Sequence, residues 1–248
     1  MSADAADAGA DEAPPAASRR RRHPGLLFAR DLVVIAVVAI LVSFLIKTFL
    51  VRPFYIPSQS MSHTLEIDDR IMVNELVPDV VPIARGDVVV FEDPGGWLDA
   101  RPEPPKPPLA AAVDSFLVFV GLAASDSDSD LVKRVIGLPG DHVECCDERG
   151  RMSIDGVPLD EPYISLPGGE TRASKTDFSV TVPDGALWVM GDNRDDSRDS
   201  RYQTETPSEG FVPIENVIGR AFVVSWPIDR WAWLGDYPET FAGVSDQG

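Results

Sequence analysis

Cysteine and histidine are scarce in this chain of 248 residues, which contains two cysteines and three histidines. Two cysteines cannot form the several cross-links of a disulfide scaffold, and together with three histidines they cannot build a zinc finger or zinc ribbon. Basic residues are also outnumbered, because 22 Lys and Arg face 40 Asp and Glu and give a formal net charge of −18. Phosphate backbones repel such an acidic chain, so we expect no nucleic-acid partner.

The rest of the composition favours a folded, β-rich protein. Hydrophobic residues make up 44% of the chain, too many for general disorder. The 22 prolines favour loops and short strands over a helical bundle.

One long apolar run lies near the start of the chain. Residues 32–51 contain a single charge, Lys47, and a helix over this run would span about 30 Å, the thickness of a hydrocarbon core. A buried core helix of this length rarely lacks a polar face. The sequence therefore predicts a transmembrane signal-anchor helix over residues 30–52. We interpret residues 1–29, which are Ala-rich and polar without an apolar period, as a disordered cytoplasmic tail.

The flanking charges predict the orientation of this helix. Basic residues next to a span stay in the cytoplasm, and five arginines precede the run: Arg19, Arg20, Arg21, Arg22 and Arg30. Residues 53–248 carry 35 acidic and 15 basic residues. No small-x-small cleavage site follows the run, so the helix should not be removed. We expect a single-pass protein of the cytoplasmic membrane whose C-terminal domain is extracytoplasmic.

Residues 53–248 have the pattern of short strands separated by turns. Arg-Gly-Asp, Pro-Gly-Asp and Asp-Gly turns bound β-branched runs. These predict strands at 69–77, 87–92, 131–138, 151–154, 178–182, 186–190 and 217–226. Because their spacing is irregular and βαβ patterns are missing, we predict a mainly β fold, antiparallel and partly barrel-like, after one N-terminal transmembrane helix.

An insertion at about 93–130 interrupts the strands. Residues 93–108 hold six prolines in 16 positions, which is typical of a stiff extended loop. Residues 109–124 are apolar but short for a span and include Asp114. A helix that packs on the β core or lies in the membrane interface is favoured over a second span.

A serine-rich segment, PSQSMSHTL at residues 57–65, follows the apolar run closely. Ser60 lies nine residues past Val51, so even an extended chain keeps it within about 30 Å of the end of the run. Taken alone, the segment is an ordinary hydroxyl-rich turn. A second segment, KRVIGLPGD, places Lys133 among apolar strand residues, where burial lowers a lysine's pKa. A neutral amine beside a serine can take the hydroxyl proton, although Lys133 alone could equally be an edge-strand charge.

The ordered set of segments resembles type I signal peptidases, the membrane-anchored serine proteases that remove signal peptides from exported proteins. The apolar run, PSQSM, RGDVVVF, KRVIGLPGD and GDNRDDSRDSR occur in the order of that family. The resemblance implies cleavage of preprotein signal peptides after small residues at positions −3 and −1. The predicted anchor implies contact with membrane lipid, and we expect no metal or cofactor. We expect the chain to act as a monomer.

The resemblance assigns roles to individual residues. It implies Ser60 as the nucleophile and Lys133 as the general base. It implies an oxyanion hole formed by the Ser58 hydroxyl and the Ser60 N–H. A hydroxyl that orients the lysine amine and two residues that support it are also implied: Ser197, Asp199 and Arg201.

The chain departs from the family pattern at His63, where a proline is usual. The departure should loosen a turn without touching a catalytic atom. It also raises a rival hypothesis, in which His63 or His142 is the general base. Because triads bring the base from elsewhere in the fold and His63 is only three residues from Ser60, we favour the lysine.

Three other features of the sequence allow alternative interpretations. Residues 192–201 are rich in acidic residues but lack the spacing of a calcium loop and include three arginines, which favours mutual ion pairing and no metal. The adjacent Cys145 and Cys146 could form a vicinal disulfide, pair between chains or remain thiols. Three aromatic residues could pack in the β core or form an interfacial belt: Trp226, Trp231 and Trp233.

Three classes of function follow. The first is a signal peptidase, the second another Ser–Lys hydrolase that cleaves itself or a tethered partner, and the third a silent membrane-anchored binding module. The anchor argues against a soluble, DNA-binding form of the second class. The joint presence of Ser58, Ser60, Lys133 and Ser197 favours an enzyme over a silent module.

Overall fold

The computed structural model describes residues 24–98, 107 and 129–245. Contacts divide the chain into two units, Met1–Val42 and Ser43–Gly248. Helix α1 spans Pro24–Phe49, so it begins before the predicted residue 30 and ends before residue 52. A proline is tolerated in the first turn of a helix because its missing N–H would have no intrahelical partner there. Among the described residues, which include α1, no helix is both long and apolar enough to span a membrane.

The second unit consists mainly of short strands. They are β1 (Val51–Tyr55), β2 (Arg70–Asn74), β3 (Val88–Glu92), β4 (Asp130–Gly137), β5 (His142–Cys145), β6 (Met152–Ile154), β7 (Val157–Pro158), β8 (Phe178–Thr181), β9 (Ala186–Met190), β10 (Val212–Pro213), β11 (Val217–Trp226) and β12 (Ala232–Trp233). A short helix, α2 (Pro238–Phe241), follows them.

The strands form two antiparallel sheets. In the larger sheet the order is β1-β2-β11-β3-β4-β9-β10, and β12 pairs with β11. In the smaller sheet the order is β7-β6-β5-β8. All ladders between the named strands are antiparallel, as predicted. The larger sheet is an open path from β1 to β10, so the described strands form no closed barrel, and the barrel-like part of the prediction is not supported.

Each of the seven predicted strands matches a strand of the structure. The structure adds β1, β5, β7, β10 and β12 to them. β1 was missed because it directly follows the apolar run and contains Pro53. A proline is tolerated there because β1 lies at the edge of the sheet.

Three clusters of buried side chains hold the sheets in place. One lies under the smaller sheet around Val143, Met152 and Trp188. A second contains Met61 and Leu65 together with residues of the strands β1, β2, β3 and β11. A third packs between β3, β4 and β9 and includes Trp97, which is 1% exposed.

The structure resolves two of the choices that the sequence left open. Cys145 and Cys146 form a disulfide with each other. Trp226, Trp231 and Trp233 are 50–67% exposed, which excludes the first of their two alternatives, packing in the β core. The predicted insertion at 93–130 lies largely outside the described residues.

Candidate active site

Ser60 lies on a closed loop between β1 and β2, residues 56–69, which we call the Ser60 loop. The two ends of the loop are joined, because the Ile56 N–H donates to the Asp69 carbonyl and the Asp68 N–H donates to the Ile56 carbonyl, both at 3.0 Å. Met61 and Leu65 are 1% and 0% exposed and anchor the loop in the core. The sequence therefore presents the serine from a loop whose apolar side chains fix its position.

Lys133 approaches Ser60 from the larger sheet. It lies on β4, opposite Val89 of β3, and is 3% exposed. Its Nζ lies 2.8 Å from Ser60 Oγ and donates a second hydrogen bond to the Val132 carbonyl at 2.9 Å. The fold thus brings together two residues that are 73 positions apart in the chain.

The surroundings of Lys133 favour its neutral form. Burial lowers the pKa of the Lys133 amine from its ordinary value of 10.5 to about 8. The negative charges of Asp199 and Asp192 oppose this shift, since they attract the ammonium form. Near pH 8 and above, a substantial fraction of the amine is therefore neutral and can accept a proton.

Ser58 is exposed and lies next to the same hydroxyl. Its Oγ is 3.3 Å from Ser60 Oγ. A hydroxyl at this distance can turn toward an oxyanion that forms on a carbonyl attacked by Ser60.

The three supporting residues occupy a buried loop after β9. The Asp199 carboxylate accepts two hydrogen bonds from the Arg201 guanidinium, both at 2.8 Å, and one from the Gly191 N–H at 2.9 Å. Burial alone would raise the pKa of Asp199, but the hydrogen bonds and charge of Arg201 hold it below its ordinary value. Asp199 therefore stays ionised near Lys133.

Ser197 differs from its predicted contact. Its Oγ is buried and makes no hydrogen bond to the Lys133 amine. It lies close enough to the Asp199 carboxylate to help lower the pKa of that group. It also lies close to the Ser60 backbone. A Cβ placed on Gly191 would be 2.3 Å from both Ser197 Oγ and the Ser60 carbonyl oxygen. Only glycine leaves room for these two groups to approach the chain at this point.

A buried carboxylate that sequence reasoning missed connects the Ser60 loop to β4. The Asp192 carboxylate accepts hydrogen bonds from Arg134 Nε at 2.8 Å and Nη2 at 2.7 Å. Its Oδ2 also accepts the Thr64 hydroxyl at 2.5 Å. Arg134 is the residue after Lys133 on β4. The Asp192 carboxylate therefore links this part of β4 to the Ser60 loop.

Asn193 was missed as well. Its N–H donates to the Ser60 carbonyl at 3.2 Å, and its Nδ2 donates to the Gln59 carbonyl at 3.0 Å. The residue types of Asp192 and Asn193 do not indicate these partners. What the sequence offered was their place side by side in GDNRDDSRDSR, a segment that belongs to the family pattern.

The predicted mutual pairing of residues 192–201 is seen for Asp199 and Arg201, but other members of the segment pair outside it. Asp192 pairs with Arg134 of β4, and Arg194 forms two hydrogen bonds with the buried Glu161 at 3.0 and 2.6 Å. The segment therefore fastens itself to other parts of the domain. Burial of such pairs requires this two-fold geometry, since desolvated charges are costly without it.

Neither histidine contacts the Ser60 hydroxyl. The ring of His142 lies on the smaller sheet, with its nitrogens 3.1 Å from Thr181 Oγ1 and 3.2 Å from Ser179 Oγ. His63 is exposed, and its backbone N–H donates to Glu66 Oε1 at 3.1 Å. His63 has a φ of +87°, which proline cannot adopt. At His63 the chain therefore forms a tight turn with a backbone hydrogen bond that a proline could not donate. The sequence predicted a looser turn at this position.

Comparison with known proteins identifies the family. The family model described as signal peptidase, peptidase S26, matches residues 29–226. The chain is 38% identical over 232 residues to a probable signal peptidase I of Mycobacterium leprae, covering 83% of this chain and 78% of the relative. It is 33% identical over 226 residues to a signal peptidase I of Leptolyngbya laminosa, covering 91% and 92%.

One solved structure is also similar. The crystal structure of a signal peptidase I from Enterococcus faecalis V583 is 27% identical, with a TM-score of 0.35, and covers 56% of this chain and 95% of that chain.

A β domain with a serine on a fixed loop and a buried lysine beside it has the parts of a serine hydrolase. The chain belongs to the signal peptidase family, peptidase S26. Its activity is that of a serine endopeptidase that removes signal peptides.

Proposed function

We propose that Ser60 and Lys133 perform this cleavage as nucleophile and general base. The observation that carries the proposal is the distance of 2.8 Å between Lys133 Nζ and Ser60 Oγ, with the lysine buried. The lowered pKa of Lys133 supports it, because only an unprotonated amine can accept the serine proton.

The first half of the reaction forms an acyl-enzyme. Ser60 Oγ attacks the carbonyl carbon of the scissile peptide bond while its proton moves to Lys133 Nζ. The tetrahedral oxyanion accepts hydrogen bonds from the Ser58 hydroxyl and the Ser60 N–H. The ammonium of Lys133 then donates its proton to the departing amine, which becomes the new N-terminus of the exported protein.

The second half releases the signal peptide. A water molecule gives a proton to Lys133 Nζ and attacks the ester carbon, and the proton then returns to Ser60 Oγ as the ester bond breaks. The signal peptide leaves with a new carboxylate. Asp199 and Arg201 hold the backbone of Gly191 behind Ser60, which supports their assignment as positioning residues.

Replacement of each candidate group tests the mechanism. Ser60→Ala and Lys133→Ala should abolish cleavage of a purified preprotein, read as the N-terminal sequence of the product. His63→Ala and His142→Ala should keep most of the activity. A Lys133→Ala enzyme that cuts normally beside an inactive His63→Ala enzyme would show that the Ser–Lys mechanism is wrong.

We propose specificity for small residues at positions −1 and −3 of the substrate. An extended substrate presents alternate side chains to the enzyme, so two shallow pockets would select these positions. The support is the family to which the chain belongs. Preproteins with Ala at −1 and −3 should be cut, and Phe at either position should prevent cleavage. Efficient cutting with Phe at −1 would contradict the assignment.

We further propose that the part of α1 within the predicted residues 30–52, which ends at Phe49, anchors the protein in the cytoplasmic membrane, with residues 53–248 outside. The described apolar side chains between residues 32 and 42 of α1 are about half exposed or more, and such a helix needs an apolar partner. The arginines before it support the orientation. Protease added to wall-stripped cells should degrade a C-terminal tag. A tag protected in the cytoplasm would overturn the orientation.

Membrane lipid is the partner that we propose for the exposed aromatic residues. Trp226, Trp231 and Trp233 are 55%, 50% and 67% exposed and lie on adjoining segments of the chain. Indole rings favour the membrane interface. Their replacement by Ala should lower binding of the detergent-free domain to lipid vesicles.

We also propose that the protein acts as a monomer. A single chain supplies both Ser60 and Lys133, which supports this proposal. Light scattering in detergent would test it.

A further inference from the structure

The lower end of the Ser60 loop is held by one buried carboxylate. Asp69 is 1% exposed, and its Oδ2 accepts the backbone N–H of Glu66 at 2.8 Å. The Glu66 side chain in turn accepts the His63 N–H at 3.1 Å. These contacts link Asp69 to the turn that follows Ser60, in addition to the backbone bonds that close the loop.

Arg230 completes this arrangement from the C-terminal part of the chain. Its Nε donates to Asp69 Oδ1 at 2.8 Å and its Nη2 donates to Asp69 Oδ2 at 2.9 Å. Asp69 Oδ2 is thus shared between the Arg230 guanidinium and the Glu66 N–H. A carboxylate that is almost fully buried requires such a cation, because an unpaired buried charge is strongly unfavourable.

The position of Arg230 follows from a hairpin at the end of the larger sheet. After β11 the chain turns through Ile228–Arg230 and returns as β12, which pairs with β11 at Val223 and Val224. β11 also pairs with β2, with Trp226 opposite Arg70, the residue after Asp69. The tip of the hairpin therefore meets the end of the Ser60 loop.

The turn of this hairpin and its second strand, β12, lie beyond the residues that the signal peptidase model matches, which end at residue 226. The contact therefore joins the family part of the chain to a segment outside it.

We propose that Arg230 and Asp69 are positioning residues that hold the Ser60 loop in register with Lys133. The proposal rests on Ser60 being the nucleophile. Without the guanidinium, Asp69 loses its cation and the hydrogen bonds through Glu66 to His63 lose their fixed end. Ser60 Oγ then leaves its place 2.8 Å from Lys133 Nζ for part of the time. Small misplacements of a reacting group reduce the rate by about tenfold to hundredfold.

The test compares two arginines in the full-length protein in detergent. Arg230→Gln removes the cation from Asp69, whereas Arg151→Gln removes a partly exposed arginine from its ion pairs with Asp147 and Asp160 on the smaller sheet. We expect Arg230→Gln to lower kcat for a preprotein at least tenfold with KM within about twofold of the wild type. Arg151→Gln should leave both constants unchanged.

Hydrogen exchange separates positioning from a general loss of stability. In Arg230→Gln, amides of residues 61–69 should exchange faster while amides of β9 keep the wild-type rate. Arg230→Lys, which retains a cation but only one point of contact, should fall between the two enzymes. If Arg230→Gln is only partly folded, its kcat is calculated per folded molecule. The kcat of Arg230→Lys is then compared with that of the wild type in the same way.

Two outcomes would overturn the proposal. One is a kcat per folded molecule within twofold of the wild type in both Arg230→Gln and Arg230→Lys. The other is faster exchange throughout the domain with no preference for residues 61–69. Ser60→Ala is measured in parallel. Residual activity in this variant would refute the role of Ser60 itself. An inactive Ser60→Ala enzyme beside a fully active Arg230→Gln enzyme would refute only the roles of Arg230 and Asp69.

Discussion

The Thr64 hydroxyl donates to Asp192 Oδ2 at 2.5 Å across 128 positions of the chain. Thr64 is four residues from Ser60, and Asp192 holds the Arg134 guanidinium next to Lys133. One carboxylate therefore connects the segment that carries the nucleophile with the strand that carries the base.

Removal of this connection should slow the reaction. Thr64→Val keeps the shape of the side chain but loses the donor, and hydrogen bonds to charged groups contribute about 2 kcal/mol. We expect a lower kcat and a free energy of unfolding reduced by about that amount, measured by cleavage rates and urea titration. Thr64→Ser keeps the hydroxyl and should remain close to the wild type. Equal kcat in Thr64→Val and the wild type would contradict this role.

The activity should depend on pH through Lys133. Because its pKa is about 8 and the neutral amine is required, kcat/KM should rise with pH up to that value. The negative charge of Asp199 raises the pKa of Lys133, so Asp199→Asn should move the rise to lower pH. Asp160→Asn, which changes an exposed carboxylate, should not move it. A rise that stays in place in Asp199→Asn would mean that another group is titrating.

Lys133 should also lower the stability of the domain at neutral pH. Its pKa is lower in the folded state than in the unfolded chain, so the unfolded state binds more protons and stability rises as pH increases between about 8 and 10.5. Lys133→Met removes this penalty, which amounts to about 3 kcal/mol below that range. The variant should be inactive and more stable than the wild type at pH 7, and the difference should shrink toward pH 10. Urea titrations at both pH values measure it, and a constant difference would exclude the pKa as its cause.

Loss of the Ser58 hydroxyl should affect the transition state more than substrate binding. Ser58→Ala leaves the contact between Ser60 and Lys133 intact but removes one donor to the oxyanion. The expected cost is about 3 kcal/mol of transition-state stabilisation, or roughly a hundredfold in kcat. Steady-state kinetics with one preprotein would show it. An unchanged kcat with a raised KM would instead assign Ser58 to substrate binding.

Restoring the usual proline at position 63 should damage this enzyme. His63→Pro forces φ from +87° to about −65° and removes the N–H that donates to Glu66. We expect a large loss of activity and a lower melting temperature, whereas His63→Ala should keep most of the activity. A fully active His63→Pro enzyme would show that the loop can adopt another conformation without consequence.

The sequence predicted the strands that carry strong β-branched runs, such as β3, β9 and β11. It did not predict β1, β5 or the two-residue strands β7, β10 and β12, because pairing partners determine these and local propensity does not. The open sheet was also beyond the sequence, since strand order depends on contacts between distant segments.

Prediction of the site followed the same division. Lys133 stood out as a lysine among apolar strand residues, but by itself it could equally have been an edge-strand charge, and its role as general base was implied by the family resemblance. Asp69, Asp192 and Arg230 look like ordinary charged residues in the sequence. Their partners lie 58 to 161 positions away, and only the fold brings them into contact. Ser197 was expected to contact the lysine, but the structure places it beside Gly191 and the Ser60 backbone.

The position of β11 has a consequence for the synthesis of the protein. β2 and β3 follow each other in the chain, yet they are not neighbours in the sheet, because β11 lies between them. During synthesis, Ser60 and Lys133 leave the ribosome before β11 does. The strand that joins their two halves of the sheet is therefore missing until residue 226 has been made. Such late, long-range pairing is slow to form. The nascent chain consequently carries both reactive residues before the sheet that aligns them is complete.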